Sequence, residues 1–166
     1  MDLDDQSLIE RVLDSRDEHA FAELVKRYQS QLRYSLRQLC GWDEALADDL
    51  AQETFIKVYK SLHQYKGNSK FYTWMYRIAY NCFAAHCRSR KDEVSLDLDE
   101  VAEQGVSTES ESDLHRDFAR ALLMFAPEQR MALHLSYQRQ MTHSEIAEIM
   151  DCPLGVPRQR HVDQIA

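Results

Sequence analysis

The stretch 54–91 carries side chains suited to binding a polyanion and none that would oppose it. It holds eight Lys and Arg residues, nine of the chain's sixteen aromatic residues, and no Asp or Glu. Ammonium and guanidinium groups neutralise phosphates, and exposed rings offer surfaces on which unpaired bases stack. Solvated protein surfaces ordinarily mix both signs of charge. The composition therefore predicts a nucleic-acid surface, and the rings favour a single strand over a duplex.

Helical winding divides this stretch into two faces. At about 100° per residue, one side of residues 70–88 becomes a wide apolar arc. The arc consists of Phe71, Tyr72, Met75, Tyr76, Ile78, Tyr80, Cys82 and Phe83. The opposite, narrower face consists of Lys70, Trp74, Arg77, Asn81 and Arg88. Rings at helical spacing are more often core than binding surface, so we expect the arc to be buried and the narrow face to meet nucleic acid.

The chain as a whole has the composition of a globular helical protein. Its 166 residues are 44% hydrophobic and 29% charged, which suits one soluble domain or two small ones. Only four Gly and three Pro occur, and apolar residues recur at helical spacing, which predicts an all-α fold. The net charge of −8 does not exclude a polyanionic partner, because screening over roughly 8–10 Å makes local charge count more than the total.

The composition also excludes several classes of protein. No run approaches the roughly 18 consecutive apolar residues that span a bilayer, so we expect no membrane insertion. The opening MDLDDQSLIE is acidic where a secretion signal is basic and then apolar, which favours a cytoplasmic protein. The four cysteines lack CxxC spacing and are expected to be free thiols: Cys40, Cys82, Cys87 and Cys152.

Three long helices are predicted before residue 92. An amphipathic stripe from Phe21 to Leu32 predicts a helix from about Asp17 to Cys40. Gly41 suits the position after that helix, and Asp43 is a plausible N-cap for the next one. The second helix carries Leu46, Leu50, Phe55, Val58, Tyr59 and Leu62. Gly67 and Asn68 break the pattern, and a third helix is expected from Ser69 or Lys70 to about Arg90.

An acidic segment separates these helices from a second helical unit. Residues 92–118 hold ten Asp and Glu and one Arg, and 92–112 have few large apolar residues, which predicts a flexible linker. LHRDFARALLMF then has a helical pattern, and Pro127 suits the first turn of another helix. Thr142 and Glu145 form a capping-box pattern before IAEIM. The turn after Met150 and the basic residues beyond it complete a helix-turn-helix pattern.

At these residues the sequence resembles bacterial RNA polymerase sigma factors of the extracytoplasmic-function class. The resemblance is carried by LIERVLDSRDEHAFAELVKRYQSQLR, by ADDLAQETFIKVYKSLHQYKGNSKFYTWMYRIAYN with CRSRK after it, and by APEQRMALHLSYQRQMTHSEIAEIMDCPLG. It implies a region 2-like helical domain over 1–91, a flexible acidic linker over 92–112 and a region 4-like helix-turn-helix domain over 113–166. It also implies three partners: core RNA polymerase, contacted at the clamp of its largest subunit and at its flap, promoter DNA, and an anti-sigma factor.

The resemblance assigns roles to named residues. The surface that docks on the polymerase clamp would comprise Asp48, Asp49, Gln52, Glu53, Phe55 and Ile56. The melted −10 strand would contact Lys66, Asn68, Ser69, Lys70, Phe71, Trp74, Arg77, Asn81 and Arg88. The −35 element would be read by the helix-turn-helix, through Thr142, Ser144, Arg158, Gln159 and Arg160. Recognition of this kind needs no cofactor, no metal and no catalytic residue, so we expect no enzymatic activity.

The chain departs from the family after the PLG turn. Val156 stands where the family carries a hydroxyl that caps the recognition helix, a loss of about 0.5–2 kcal/mol. A short helix from Pro157 to Ile165 is compatible with the sequence, but it is below the length at which a helix is stable without packing. We therefore expect −35 reading to be impaired, by an end that is divergent, truncated or frameshifted.

Two other classes of function compete with this interpretation. A helix-turn-helix regulator would bind duplex DNA independently of any sigma activity, but it leaves the basic aromatic helix unexplained. An enzyme or metal protein would use His86 with Cys82 and Cys87, yet that spacing does not converge as a tetrahedral set and a fourth ligand is missing.

Overall fold

Every regular element in the parts of the chain that the structure describes is helical. The computed structural model describes residues 4–96 and 121–151. Its helices are α1 (Asp5–Ser15), α2 (Glu18–Leu39), α3 (Glu44–Ser61), α4 (Phe71–Leu96), α5 (Pro127–Leu133) and α6 (His143–Met150). A 3₁₀ turn, Leu62–Gln64, continues α3, and a π-helical turn, His134–Gln138, continues α5. The prediction of an all-α fold is confirmed.

Short polar side chains set the beginnings of several helices. The carboxylate of Asp17 accepts hydrogen bonds from the backbone N–H groups of His19 and Ala20, which starts α2. Asp43 caps α3 in the same way by accepting from the N–H of Leu46 at 3.0 Å, as the sequence predicted. Gly41 between the two helices has φ +67°, a left-handed conformation that glycine adopts without steric cost. These local signals join α2 to α3 through a tight turn.

Two features of the first helical unit differ from the predictions. Helix α1 was not predicted, although Asp4 caps it by accepting from the N–H of Ser7, and Leu8, Ile9 and Val12 are buried. The predicted end of the third helix near Arg90 is wrong, because α4 continues to Leu96. Extending an existing helix requires no new nucleus, so the acidic residues that follow Lys91 did not stop it.

The core of the first unit lies between α1, α2, α3 and the apolar arc of α4. Met75 and Tyr76 are at most 1% exposed, as are Leu32 and Leu36, which belong to the same buried cluster. The Tyr76 hydroxyl lies 2.8 Å from the hydroxyl of buried Ser35, so its polar end is satisfied inside the bundle. The predicted burial of the arc is confirmed for five of its members and is only partial for Tyr72, Ile78 and Tyr80. The five buried members are Phe71, Met75, Tyr76, Cys82 and Phe83.

The second helical unit packs directly on the first. Met131, Leu135, Met141 and Ile149 are at most 7% exposed and belong to the same apolar cluster as the core of the first unit. Helix α6 packs mainly along α4. Since a short helix is not stable alone in water, this burial accounts for the ordering of α5 and α6.

Two arginines attach the second unit to α2 and α4. The Arg130 guanidinium donates to the carbonyl of Leu39 at 2.8 Å and lies over the ring of Phe83. Arg139 donates to the side chain of Gln31 at 2.7 Å. Guanidinium groups combine such donation with stacking on rings, which suits them to contacts of this kind.

The predicted domain boundaries, 1–91, 92–112 and 113–166, stay predictions. Most of the proposed linker and the residues from 152 onward lie outside the described ranges. Within those ranges, no helix has the length and apolar character needed to cross a bilayer.

Candidate nucleic-acid interface

The loop before α4 is held in shape by one tyrosine. The Tyr65 hydroxyl donates to the carbonyl of Ser69 at 2.6 Å, which closes the turn. Gly67 within the turn has φ +71°, so a side chain there would be strained. Lys66 and Asn68 project from this turn into solvent. The loop therefore presents a cation and an amide from a fixed backbone.

The indole of Trp74 rests on a platform of other rings. Its centroid lies 5.4 Å from that of Tyr65 and 6.0 Å from that of Phe71. Trp74 is half-buried, whereas Phe71 is only 4% exposed. Phe71 was predicted to contact the strand, but it lies behind Trp74 and supports it instead. Tyr65 was not singled out from the sequence as part of this site, although it belongs to the same aromatic block.

The remaining residues of the narrow face of α4 are exposed. Arg77, Asn81 and Arg88 all face solvent along the helix, and Lys70 does so just before its first turn. Together with Trp74 and the loop side chains they form one continuous surface, which we call the α4 surface. It offers cations, an amide and a partly exposed aromatic ring, the groups that hold an unpaired nucleic-acid strand.

Acidic residues of α6 and its C-terminus contact the α4 surface. The Tyr72 hydroxyl donates to the Glu145 carboxylate at 2.6 Å, and the Lys70 ammonium lies 3.9 Å from the same carboxylate. The Arg77 guanidinium lies 3.7 Å from the carboxylate of Asp151. Donation from Tyr72, with further donation from the backbone of Thr142, lowers the pKa of Glu145 below its usual value, so this carboxylate stays ionised at neutral pH.

Helix α3 presents a second surface, with a different character. Asp49, Gln52, Glu53 and Ile56 lie at helical spacing on its outer side, and all four are exposed. We call this set the α3 surface. The side chain of Ile56 is 55% exposed, which is high for a large apolar residue in a helix that otherwise contributes to the core. Acids around an exposed aliphatic group suit a basic protein partner.

Not all the predicted members of the α3 surface are free. Asp48 lies 3.5 Å from the Arg33 guanidinium and 3.9 Å from that of Arg37, so it bridges α3 to α2. Phe55 is half-buried and packs against the core. Tyr59 is 42% exposed beside Phe21, with centroids 4.9 Å apart, and extends the apolar part of this surface. From the sequence, Tyr59 was predicted only as part of the apolar pattern of α3.

Comparison with known proteins places the chain in a family. The Sigma-70 region 2 family matches residues 24–93, which include both surfaces. The ECF RNA polymerase sigma-E factor of Haemophilus influenzae is 32% identical over 95% of this chain and 89% of its own length. The chain belongs to the extracytoplasmic-function sigma factors. The sigma-E factor of Escherichia coli K12 is 33% identical over 95% of this chain and 88% of its own.

A solved structure also resembles this sigma factor. It is the sigma factor RpoE from Bartonella quintana in complex with the anti-sigma factor NepR, with a TM-score of 0.65 and 25% identity. The match covers 80% of this chain and 84% of that one. The family and the fold agree with the resemblance identified from the sequence, and they place this sigma factor in transcription initiation.

The predicted −35 residues are only partly within the described chain. Thr142 caps α6 in a capping box with Glu145, as predicted, and both Thr142 and Ser144 are exposed. Arg158, Gln159 and Arg160 lie outside the described residues. The second helix of the helix-turn-helix therefore stays a prediction.

The cysteines of this sigma factor that the structure describes are shielded. Burial raises the pKa of the Cys40 thiol to about 12, and it also raises the pKa values of Cys82 and Cys87. A thiol with a raised pKa is mostly protonated and therefore unreactive at neutral pH. Across residues 4–96 and 121–151, no cluster of His, Cys, Asp and Glu is arranged to hold a metal ion.

Proposed function

We propose that this sigma factor docks on the clamp of the largest polymerase subunit through the α3 surface and holds the melted −10 strand on the α4 surface. The observation that carries the proposal is the α4 surface itself. It aligns exposed Lys70, Arg77 and Asn81 beside a ring-supported Trp74, and its own stretch, 54–91, contains no Asp or Glu. Polymerase performs the chemistry, and this chain supplies recognition.

The α3 surface fits a protein partner better than a nucleic acid. Asp49 and Glu53 would repel phosphates, whereas they complement a basic helix. The exposed side chain of Ile56 supplies apolar area that an interface would bury at its centre. Asp48 contributes indirectly, because its ion pairs with Arg33 and Arg37 hold α3 against α2.

Strand capture on the α4 surface follows from the fixed loop and the exposed helix side. Lys66, Asn68 and Ser69 surround a turn closed by the Tyr65 hydroxyl, so they form a preorganised cradle for a flipped base and its backbone. Arg77 and Arg88 would neutralise phosphates along the helix. An unstacked base against Trp74 would gain about 1–3 kcal/mol, which helps to offset the cost of opening the duplex.

The second unit is proposed to serve the remaining contacts of the family. A cleft of about 370 Å³ in this unit is lined in part by half-buried Leu133 and by the exposed side chains of Phe125 and Tyr137, which are candidates for the polymerase flap. Reading of the −35 element is proposed to be weak, since Val156 lacks the hydroxyl that would cap the recognition helix. By similarity to the sigma factor crystallised with NepR, an anti-sigma protein is the proposed regulator.

The test is promoter opening by polymerase reconstituted with variants of this chain. Trp74→Ala and Asn81→Ala should each reduce open complex formation by about tenfold while leaving affinity for core polymerase unchanged. Tyr34→Ala is the matched control, because Tyr34 is a 46% exposed ring on α2 whose ring neighbour is Trp42, which is not part of the α4 surface. Normal opening by both the Trp74 and the Asn81 variants would show that the α4 surface does not hold the strand.

A further inference from the structure

The first turn of α1 lies beside the loop that precedes α4. Helix α1 contacts the 3₁₀ turn Leu62–Gln64, which leads into this loop. A Cβ atom placed on Gly67 would lie 4.0 Å from the side-chain oxygen of Gln6, so α1 borders the loop at its left-handed glycine. Burial raises the pKa of Tyr65, which closes the loop, and the charge of Asp5 adds to this effect. The beginning of α1 is therefore a neighbour of the proposed strand-binding surface.

One carboxylate in this turn holds a tyrosine of α2. The Tyr28 hydroxyl donates to Oδ2 of Asp5, and the Arg27 guanidinium donates to Oδ1 of the same carboxylate at 3.0 Å. Burial raises the pKa of Tyr28, and the hydrogen bond to Asp5 acts in the same direction, so the hydroxyl stays a donor at neutral pH. A carboxylate that accepts from two donors has a fixed orientation, and hydrogen bonds to charged acceptors are among the stronger ones. Asp5 therefore restrains the polar end of the Tyr28 ring.

The Tyr28 ring connects this restraint to the rings that support the indole of Trp74. Its centroid lies 5.5 Å from that of Phe71, with 57° between the ring planes. Phe71 is 4% exposed, and its centroid lies 5.8 Å from that of Tyr65 and 6.0 Å from that of Trp74. Since protein interiors are close-packed, a ring that is fixed at one side limits the tilt of the ring beside it. A series of contacts thus runs from Asp5 through Tyr28 and Phe71 to Trp74.

The attachment of α1 to the bundle does not depend on Asp5. The carboxylate of Asp4 caps the helix, and its apolar side is buried through Leu8, Ile9 and Val12. Asp5 lies at the end of α1 that borders the loop, and its two hydrogen bonds go to a ring that contacts Phe71 and to the residue before that ring. Its contacts are therefore placed to orient the rings under Trp74 rather than to hold α1 in the fold.

We propose that Asp5 is a positioning residue for strand capture, which acts through Tyr28 to hold Phe71 and the indole of Trp74 in the orientation that receives an unstacked base. This inference rests on the proposed role of the α4 surface in strand capture. Without the contact between Asp5 and Tyr28, the rings sample further orientations, and affinity for the strand falls with the fraction of molecules that is ready to bind. Rings that are already ordered reduce the entropy lost on binding.

The experiment removes the restraint in two independent ways. Asp5→Ala removes the acceptor, and Tyr28→Phe removes the donor but keeps the ring that packs on Phe71. The matched control is Asp14→Ala, which removes the same charge from an exposed position of the same helix. Polymerase is reconstituted with each full-length variant at a temperature at which circular dichroism shows every variant folded. Affinity for core polymerase and the rate of open complex formation are then measured.

Asp5→Ala and Tyr28→Phe should each slow open complex formation by about three- to fivefold while affinity for core polymerase stays the same. Asp14→Ala should change the rate by less than about 1.5-fold. The double variant with both Asp5→Ala and Tyr28→Phe should be no slower than Asp5→Ala, because the two changes remove one contact. A normal rate for Tyr28→Phe, or losses that multiply in the double variant, would overturn the inference.

The indole itself gives a readout that a loss of stability alone would not change. The chain has two tryptophans, and Trp42→Phe leaves Trp74 as the single indole while keeping a ring beside Tyr34. In this background, nanosecond fluorescence anisotropy should show local motion of larger amplitude at Trp74 after Asp5→Ala or Tyr28→Phe than after Asp14→Ala. Equal amplitudes in the three variants would show that Asp5 does not position the indole.

Trp74→Ala keeps this result distinct from the proposed function. If opening depends on Trp74 while Asp5→Ala opens as fast as Asp14→Ala, the positioning role of Asp5 is wrong and strand capture by the α4 surface stands. If opening is independent of Trp74, strand capture by the α4 surface is wrong, and the positioning role is wrong with it.

Discussion

The α3 surface and the α4 surface belong to the same helical bundle, yet the free chain presents them differently. On α3, Gln52 and Ile56 face solvent, and the surface needs no rearrangement to meet a partner. On α4, Lys70 and Arg77 are paired with carboxylates from the second unit. The surface proposed for a protein partner is open, and the surface proposed for DNA is contacted by acidic side chains. A strand on the α4 surface would therefore compete with these carboxylates for Lys70 and Arg77, whereas a partner on the α3 surface would displace no part of the described second unit.

The contrast also lies in how charge is balanced. Glu53 on the α3 surface is paired within its own helix, with Lys57 at 2.6 Å. The α4 surface has no acid in its own stretch to pair with, so its described ion pairs come from residues far along the chain. The ion pairs of Lys70 and Arg77 would break if the second helical unit moved away from α4. The ion pair between Glu53 and Lys57 would not, because both residues lie on α3.

The largest expected effect tests whether the α3 surface is open and used. Ile56→Glu should weaken affinity for core polymerase by about 30-fold, roughly 2 kcal/mol, because it buries a charge where an apolar contact is required. The stability of the free protein should hardly change, since the side chain is 55% exposed. Fluorescence anisotropy with core polymerase measures the dissociation constant.

The control for Ile56 makes the same change elsewhere. Leu13 is a 43% exposed apolar residue on α1, and Leu13→Glu adds the same charge on a different helix. If the two variants bound polymerase with the same affinity, the α3 surface would not be the docking site. The proposed difference between a protein-binding surface on α3 and a DNA-binding surface on α4 would then be wrong.

A second prediction concerns the helical unit that packs on α4. Burial lowers the pKa of His134 from 6.5 to about 4, and the positive charge of Arg139 contributes in the same direction. The unfolded chain therefore takes up this proton below about pH 6.5 while the folded chain does not, so the free energy of unfolding falls as the pH drops toward 4. The His134 contribution should be about 1.3 kcal/mol smaller at pH 5.5 than at pH 7.5.

Urea denaturation of wild type and His134→Leu at both pH values isolates this contribution. The variant has no imidazole to protonate, so the difference between its stabilities at the two pH values should be smaller than the wild-type difference by that amount. Carboxylates such as Glu145 titrate in both proteins and cancel in the comparison. Identical pH dependence in the two proteins would show that His134 does not stay neutral on folding.

The smallest effect concerns the ion pair on the α3 surface. Lys57→Ala should change the free energy of unfolding by less than about 0.5 kcal/mol, because both partners are about half exposed and water screens the attraction. Glu53 would then be free for a basic partner, and polymerase affinity should rise by no more than about twofold. A large loss of stability on thermal unfolding would show that the ion pair between Lys57 and Glu53 contributes more to folding than an exposed pair should.

Features that depend on neighbouring residues could be predicted from the sequence. Asp43 as an N-cap, the left-handed Gly41 and the capping box of Thr142 were all found as predicted, because each depends on groups within a few positions of one another. The buried and exposed faces of α4 followed from helical periodicity in the same way. The family could be identified because these local patterns occur in its characteristic order.

The features that were missed depend on residues that are distant in sequence. The contact between Tyr72 and Glu145 spans 73 positions, and no periodicity points from one to the other. Asp48 was predicted as part of the docking surface, but its ion pair with Arg33 connects α3 to α2. The continuation of α4 to Leu96 was missed because the helix was predicted to end where the acidic residues begin. A helix that has already formed can extend through such residues, since extension needs no new nucleus.

Glu145 divides its two oxygens between two tasks. Oε2 accepts from the N–H and the hydroxyl of Thr142, which fastens the first turn of α6, while Oε1 accepts from Tyr72. Most substitutions of Glu145 would therefore destabilise the first turn of α6 and also remove its hydrogen bond from Tyr72. Glutamine alone among the common replacements retains the reciprocal cap. One side chain therefore couples the stability of α6 to its contact with α4.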